Sequence, residues 1–88
     1  MPTTDADRFV RNVGRRVAEV RAARGWTQAE FAEAADVSLS YVQQVEAGRE
    51  NLTLRSLAKL ANVLRATPSA LLEPTRLRKP RLGRPPTK

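Results

Sequence analysis

The stretch TQAEFAEAADVSLSYVQQVEAG, residues 27–48, divides into two short helical segments separated by a three-residue break. Thr27 followed by Glu30 matches a capping box, in which the hydroxyl accepts a helix N–H and the carboxylate reaches back to the cap. The pattern predicts a helix over 28–35 with Phe31, Ala32 and Ala35 as its inner face. Asp36, Val37 and Ser38 then interrupt the period, Val37 being apolar and Ser38 a good N-cap. A further helix follows over 39–47 and stops at Gly48.

Two helices of about eight residues joined by so short a turn cannot fold back antiparallel, and this is the helix-turn-helix arrangement. The flanks supply its support. Phe9, Val13, Val17 and Val20 recur at spacings of four, four and three, one apolar stripe on a helix over 8–24 that Gly25 ends. Thr53 caps a fourth helix bearing Leu54, Leu57, Leu60, Ala61 and Leu64. Thr67 and Pro68 read as N-cap and first-turn proline of a short fifth helix carrying Leu71 and Leu72. The expected fold is all-α, with five helices.

Charge divides the 88 residues more sharply than hydropathy does. Residues 1–73 hold ten Lys/Arg against nine Asp/Glu, whereas residues 74–88 hold six basic residues and no acid. The chain therefore reads as an N-terminal extension (1–7), a nearly neutral domain (8–73) and a basic, proline-rich tail (74–88). A net charge of +7 points to an anionic partner. Aromatics make up only 5% of the chain, so the core must be built from Ala, Val and Leu. With neither Cys nor His, thiolate and imidazole metal ligands, disulfides and histidine-based triads are excluded. No enzyme activity, metal or cofactor is expected. No apolar run reaches the roughly 18 residues of a membrane span, and residues 1–10 lack a signal-peptide core. A cytoplasmic, nucleoid-associated protein without membrane contact is the expectation.

With Leu39 at zero and about 100° per residue, Leu39, Ser40, Gln43, Gln44 and Ala47 fall within an arc of about 140°. Val42 and Val45 lie opposite. The third helix thus packs by its valines and presents a short, uncharged polar face, which suits a DNA major groove. Gln bonds adenine N6 and N7 bidentately, Ser bonds several base edges, and a Leu tip meets a thymine methyl.

Residues 15–73, through VAEVRAARGWTQAEFAEAADVSLSYVQQVEAGRENLTLRSLAKLANVL and the closing ATPSALLE, resemble the Cro and C1 repressor type of helix-turn-helix, the XRE family. The resemblance covers about two thirds of the chain. It implies double-stranded DNA as partner, with Leu39, Ser40, Gln43 and Gln44 at base edges. Gln28 and Ser38 then contact phosphate, Gln28 also steadying neighbouring glutamines. Arg21 and Glu46 match a family ion pair between the first helix and the end of the recognition helix. The loop after that helix resembles the family's backbone-gripping loop, with Arg49, Asn51, Thr53 and Arg55 as phosphate contacts. Leu52 stands where the family commonly has proline, and Glu50 is an acid close to the expected phosphates. Trp26 is expected to pack in the core, and Tyr41 to pack with its hydroxyl directed at a phosphate.

Three readings apply to the tail residues Arg76, Arg78, Lys79, Arg81 and Arg84. They are a cationic extension that neutralises phosphates, an A·T minor-groove element, or a contact for an acidic protein. The run from Lys79 to Pro85 resembles an AT-hook, but Leu82 occupies the place of the arginine that precedes its glycine. The expected function is a transcriptional regulator that reads a palindromic operator as a homodimer, with Leu71, Leu72 and the segment to Leu77 as the dimer patch or as part of the core. The alternative is an antitoxin-like protein that binds a partner protein and represses its own operon. RNA binding lacks an aromatic stacking platform.

Overall fold

The computed structural model describes residues 5–75. Its elements are α1 (Ala6–Ala23), α2 (Gln28–Ala35), α3 (Leu39–Glu46), α4 (Leu54–Leu64) and a terminal 3₁₀ helix (Pro68–Leu72). Each begins at a side-chain cap three residues from the N–H it satisfies. Asp5 caps α1, Thr27 caps α2 in a complete capping box, Ser38 caps α3, Thr53 caps α4, and Thr67 caps the 3₁₀ helix. Such a cap satisfies an otherwise unpaired amide and is worth about 1 kcal/mol.

Besides one-residue differences at the ends of α1 and α3, two features differ from the sequence reading. The first helix starts at Ala6 rather than Arg8, because Asp5 Oδ1 accepts from Arg8 N and turns the chain into helix earlier. The fifth element is a 3₁₀ helix, not an α-helix. Five residues between Pro68 and the extended Glu73–Pro74 step leave little room for α-type bonds, and Ala70 N bonds back to Thr67 O instead.

The core draws one face from every element. Val13 and Val17 of α1 meet Phe31, Ala32 and Ala35 of α2, Val42 and Val45 of α3, Leu57, Leu60, Ala61 and Leu64 of α4, and Leu71. Each large side chain fully withdrawn from water contributes about 1.5–3 kcal/mol before ordering costs. Trp26 packs against this core, its ring stacked on Phe31 at a centroid distance of 6.1 Å. Leu71 is buried completely, so of the two terminal leucines only Leu72 faces outward.

α1 lies directly across α3. A Cβ built on Gly14 would collide with the carbonyl oxygen of Val45 and lie 3.0 Å from that of Glu46. Glycine at this one position lets the two backbones approach, and it seats the C-terminal end of α3 on the longest helix of the fold.

Candidate nucleic-acid interface

The turn between α2 and α3 is confined to Asp36, Val37 and Ser38. Asp36 takes the left-handed conformation (φ 58°), a state that Asp tolerates better than most residues. Its N–H and that of Val37 bond to carbonyls of the last turn of α2. Val37 packs on the core and Ser38 opens α3. This local chemistry fixes the angle between the two helices.

α3 presents the face expected of it. Leu39 is 42% exposed, Ser40 and Gln43 are exposed, and Gln44 is half-buried at the edge of the face. Val42 and Val45 are buried beneath. Tyr41 is half-buried against the core. Ser38 Oγ accepts from Tyr41 N, leaving its proton for another acceptor.

The far end of α3 is held by a charged network. Arg21 Nε donates to Glu46 Oε2 at 2.6 Å and Arg21 Nη2 to Glu46 Oε1 at 3.0 Å, a fork-to-fork pairing. Arg21 Nη1 also donates to the carbonyl of Trp26, at 2.7 Å. Gln28 Nε2 donates to Glu46 Oε1 at 2.9 Å. The pair expected between Arg21 and Glu46 is therefore present, and it recruits Gln28 across the helix-turn-helix. Gln28 bonds the carboxylate rather than a neighbouring glutamine, since Glu46 offers the stronger, charged acceptor.

The loop that follows α3 begins at Gly48, where φ is +75° and a Cβ would lie 2.7 Å from Arg11 Cγ. Arg49, Asn51, Thr53 and Arg55 all stand exposed on this loop and at the start of α4. Thr53 Oγ1 donates to Ser56 Oγ while accepting from Ser56 N, so its hydroxyl is already engaged. Glu50 is half-buried. Arg11, which packs over Gly48, places a further cation beside the loop. No sequence period flags it, because its role depends on α1 crossing a turn 37 residues away. The tail residues Arg76, Arg78, Lys79, Arg81 and Arg84 lie outside the described residues.

Among the described residues there is no cluster of acidic side chains able to hold a metal ion, and no helix long and apolar enough to cross a membrane. A short polar helix face, fixed at one end by a hydroxyl cap and at the other by an ion pair, with exposed cations on the adjoining loop, defines a DNA-binding helix-turn-helix domain. The chain belongs to the helix-turn-helix family, Cro/C1 repressor (XRE) type, whose family model matches residues 17–71.

Solved structures agree. The restriction-modification controller protein C.AhdI from Aeromonas hydrophila is 34% identical, with a TM-score of 0.72 over 77% of this chain and 99% of its own. The clp gene regulator ClgR from C. glutamicum is 30% identical, with a TM-score of 0.70 over 81% of this chain and 87% of its own. SinR, a master regulator for biofilm formation, is 31% identical in its complex with DNA, with a TM-score of 0.65 over 69% of this chain and 98% of that one. SinR in its complex with the SinI protein is again 31% identical, with a TM-score of 0.64 over 69% of this chain and 60% of that one. No curated protein sequence matches the chain.

Proposed function

We propose that the protein is a transcriptional regulator that reads a palindromic operator in the major groove as a homodimer. The observation that carries this reading is the exposed Leu39, Ser40 and Gln43 face of α3, rigidly backed by Val42, Val45 and the Arg21–Glu46–Gln28 network. Gln43 and Gln44 read base edges, Ser40 bonds a further edge and Leu39 meets a thymine methyl. Ser38, Gln28, Tyr41, Arg49, Asn51, Thr53 and Arg55 set register on the phosphates, with Arg49 and Arg55 as the cationic members and Thr53 acting through its backbone N–H, since its hydroxyl bonds Ser56. Gln28 keeps its carboxamide on Glu46, so it approaches phosphate through its backbone N–H at the start of α2, where the helix dipole favours an anion.

An eight-residue helix reaches few bases. Pairing two, at half-sites about 34 Å apart, supplies the remaining discrimination. The near-neutral domain and the basic tail share the work, the tail adding affinity for any phosphate backbone. Binding-site selection with the purified full chain tests this reading. A twofold-symmetric motif is expected; salt-sensitive binding with no enriched motif would remove sequence-specific regulation.

A second reading has one specific support: the related SinR forms a complex with another protein, SinI. An antitoxin-like or partner-controlled role would show as stoichiometric co-purification with the product of a neighbouring gene.

A further inference from the structure

Four large apolar side chains stand exposed among the described residues: Phe9, Leu39, Leu54 and Leu72. Leu39 belongs to the reading face of α3. The other three are far apart in sequence, yet all line one groove of about 330 Å³ between the first half of α1, the loop after α3 and the end of the 3₁₀ helix. Val10, Val13 and Leu57 line it as well. Leu54 is the extreme case, 83% exposed at the first position of α4. Single exposed leucines are ordinary on protein surfaces. Three large apolar groups converging on one hollow form a patch of the kind that marks an interface.

We propose that a second copy of the chain docks on this groove, each copy's Leu54 seated in the hollow of the other about a twofold axis. The inference rests on the homodimeric reading above and assigns it a surface. Three features select a second copy over a partner of different sequence.

A twofold interface must be self-complementary, and here a projecting apolar group and an apolar hollow occupy the same patch. The rim is self-complementary too. Glu50 lines the groove on the loop side, and Arg8 and Arg11 line the adjoining hollow beyond Phe9 on the α1 side. None of the three belongs to an ion pair within the described residues. A twofold rotation turns the Glu50 of one copy toward the arginines of the other, whereas a strongly acidic or basic partner leaves one sign unmatched. Finally, Glu50, Asn51, Leu52 and Thr53 all line the groove and belong to the short loop that joins α3 to α4. Docking there ties the two reading helices together through short segments, as paired half-sites require.

The test is sedimentation velocity and light scattering on the full chain over a range of concentrations, free and on a duplex from binding-site selection. The wild type is compared with Leu54→Glu, Phe9→Glu and Leu39→Glu. All three positions are exposed, and Glu at the first turn of α4 is favoured by the helix dipole, so folding persists and is checked by circular dichroism. The expected result is a wild-type dimer whose dissociation constant rises at least tenfold in Leu54→Glu and in Phe9→Glu, while Leu39→Glu, compared only off DNA because Leu39 faces the bases, self-associates as the wild type does. Leu54→Glu and Phe9→Glu dimers as tight as the wild type would overturn this surface and leave the homodimer standing. A wild-type chain that is monomeric both free and on its duplex would overturn surface and homodimer together, leaving the groove to a protein of another sequence.

Discussion

Arg21 and Glu46, 25 residues apart in sequence, meet through two parallel hydrogen bonds of 2.6 and 3.0 Å, with the Glu46 side chain 7% exposed. The arrangement fastens the last residue of α3 to α1 and, through Gln28, to the start of α2. Its value lies less in net attraction than in what removing one member leaves behind. In Glu46→Ala the Arg21 guanidinium, itself only 16% exposed, is stranded beside the carbonyl of Trp26. We expect a loss of about 3 kcal/mol, the lower end for breaking a buried pair because some solvent reaches Arg21. The double variant Arg21→Met/Glu46→Met recovers most of it. Urea titrations of the two variants and the wild type check this, and a loss under about 0.5 kcal/mol in Glu46→Ala would show the pair to be energetically idle.

Gly14 carries the second prediction. Alanine normally gains about 1 kcal/mol over glycine inside a helix. At this position the added methyl group meets the backbone oxygens of Val45 and Glu46, which cannot rotate aside. Overpacking of this kind costs about 1–3 kcal/mol. Gly14→Ala is therefore expected to lower the melting temperature despite its better propensity. Because the displaced residues end α3, operator affinity should fall with it. A variant as stable as the wild type would mean that α1 slides off α3 without penalty.

What the sequence makes legible follows from the range of each interaction. Thr27 with Glu30, Ser38, Thr53 and Thr67 announce helix starts because a cap and its N–H lie three residues apart. The core positions follow from helical period, and so does the outward face of α3. Long-range partners leave no such mark. Arg24 closes the end of α4 by donating to the carbonyl of Leu64 at 2.7 Å and to that of Arg65 at 3.0 Å, across 40 residues. Nothing in the sequence around Arg65 signals its left-handed backbone. Arg16 reaches the carbonyl of Ala70, and the Asn12 carboxamide brackets Glu73 and Thr75. The 3₁₀ form of the last helix is hidden for a related reason. Its apolar positions fit either helical type, and the short space before Pro74 decides between them. In the candidate site, exposure of the reading residues is readable from their angles, whereas the tie between Gln28 and Glu46 needs the third dimension.

The reading face sets the third prediction. Gln43→Ala and Gln44→Ala each remove a side chain able to bond two atoms of one base, while Val42 and Val45 keep the helix in place. Each substitution should cost about 1–3 kcal/mol on the best operator and relax preference at one base pair per half-site. Gln43 is exposed and Gln44 half-buried, so the larger loss is expected at Gln43. Parallel binding-site selections on both variants provide the measurement. Equal weakening on every sequence would make these residues phosphate positioners.

The fourth prediction concerns residues 76–88, which hold six of the sixteen basic residues and no acid. Truncation after Thr75 keeps the Asn12 Oδ1 bond to Thr75 N, so the folded domain should melt as before. Binding should respond differently. Each phosphate that the tail no longer neutralises makes the slope of log K against log salt shallower by about 0.9, so three of them would remove roughly 3 from it. Base preference at the operator core should persist, since Leu39, Ser40, Gln43 and Gln44 remain in place. An A·T preference beside the core that disappears with the tail would assign it to the minor groove, where a narrow, strongly negative channel attracts arginine. A shallower slope with that preference intact assigns it to the phosphates alone. An unchanged slope would take the tail off the DNA altogether and leave its charge for an acidic protein.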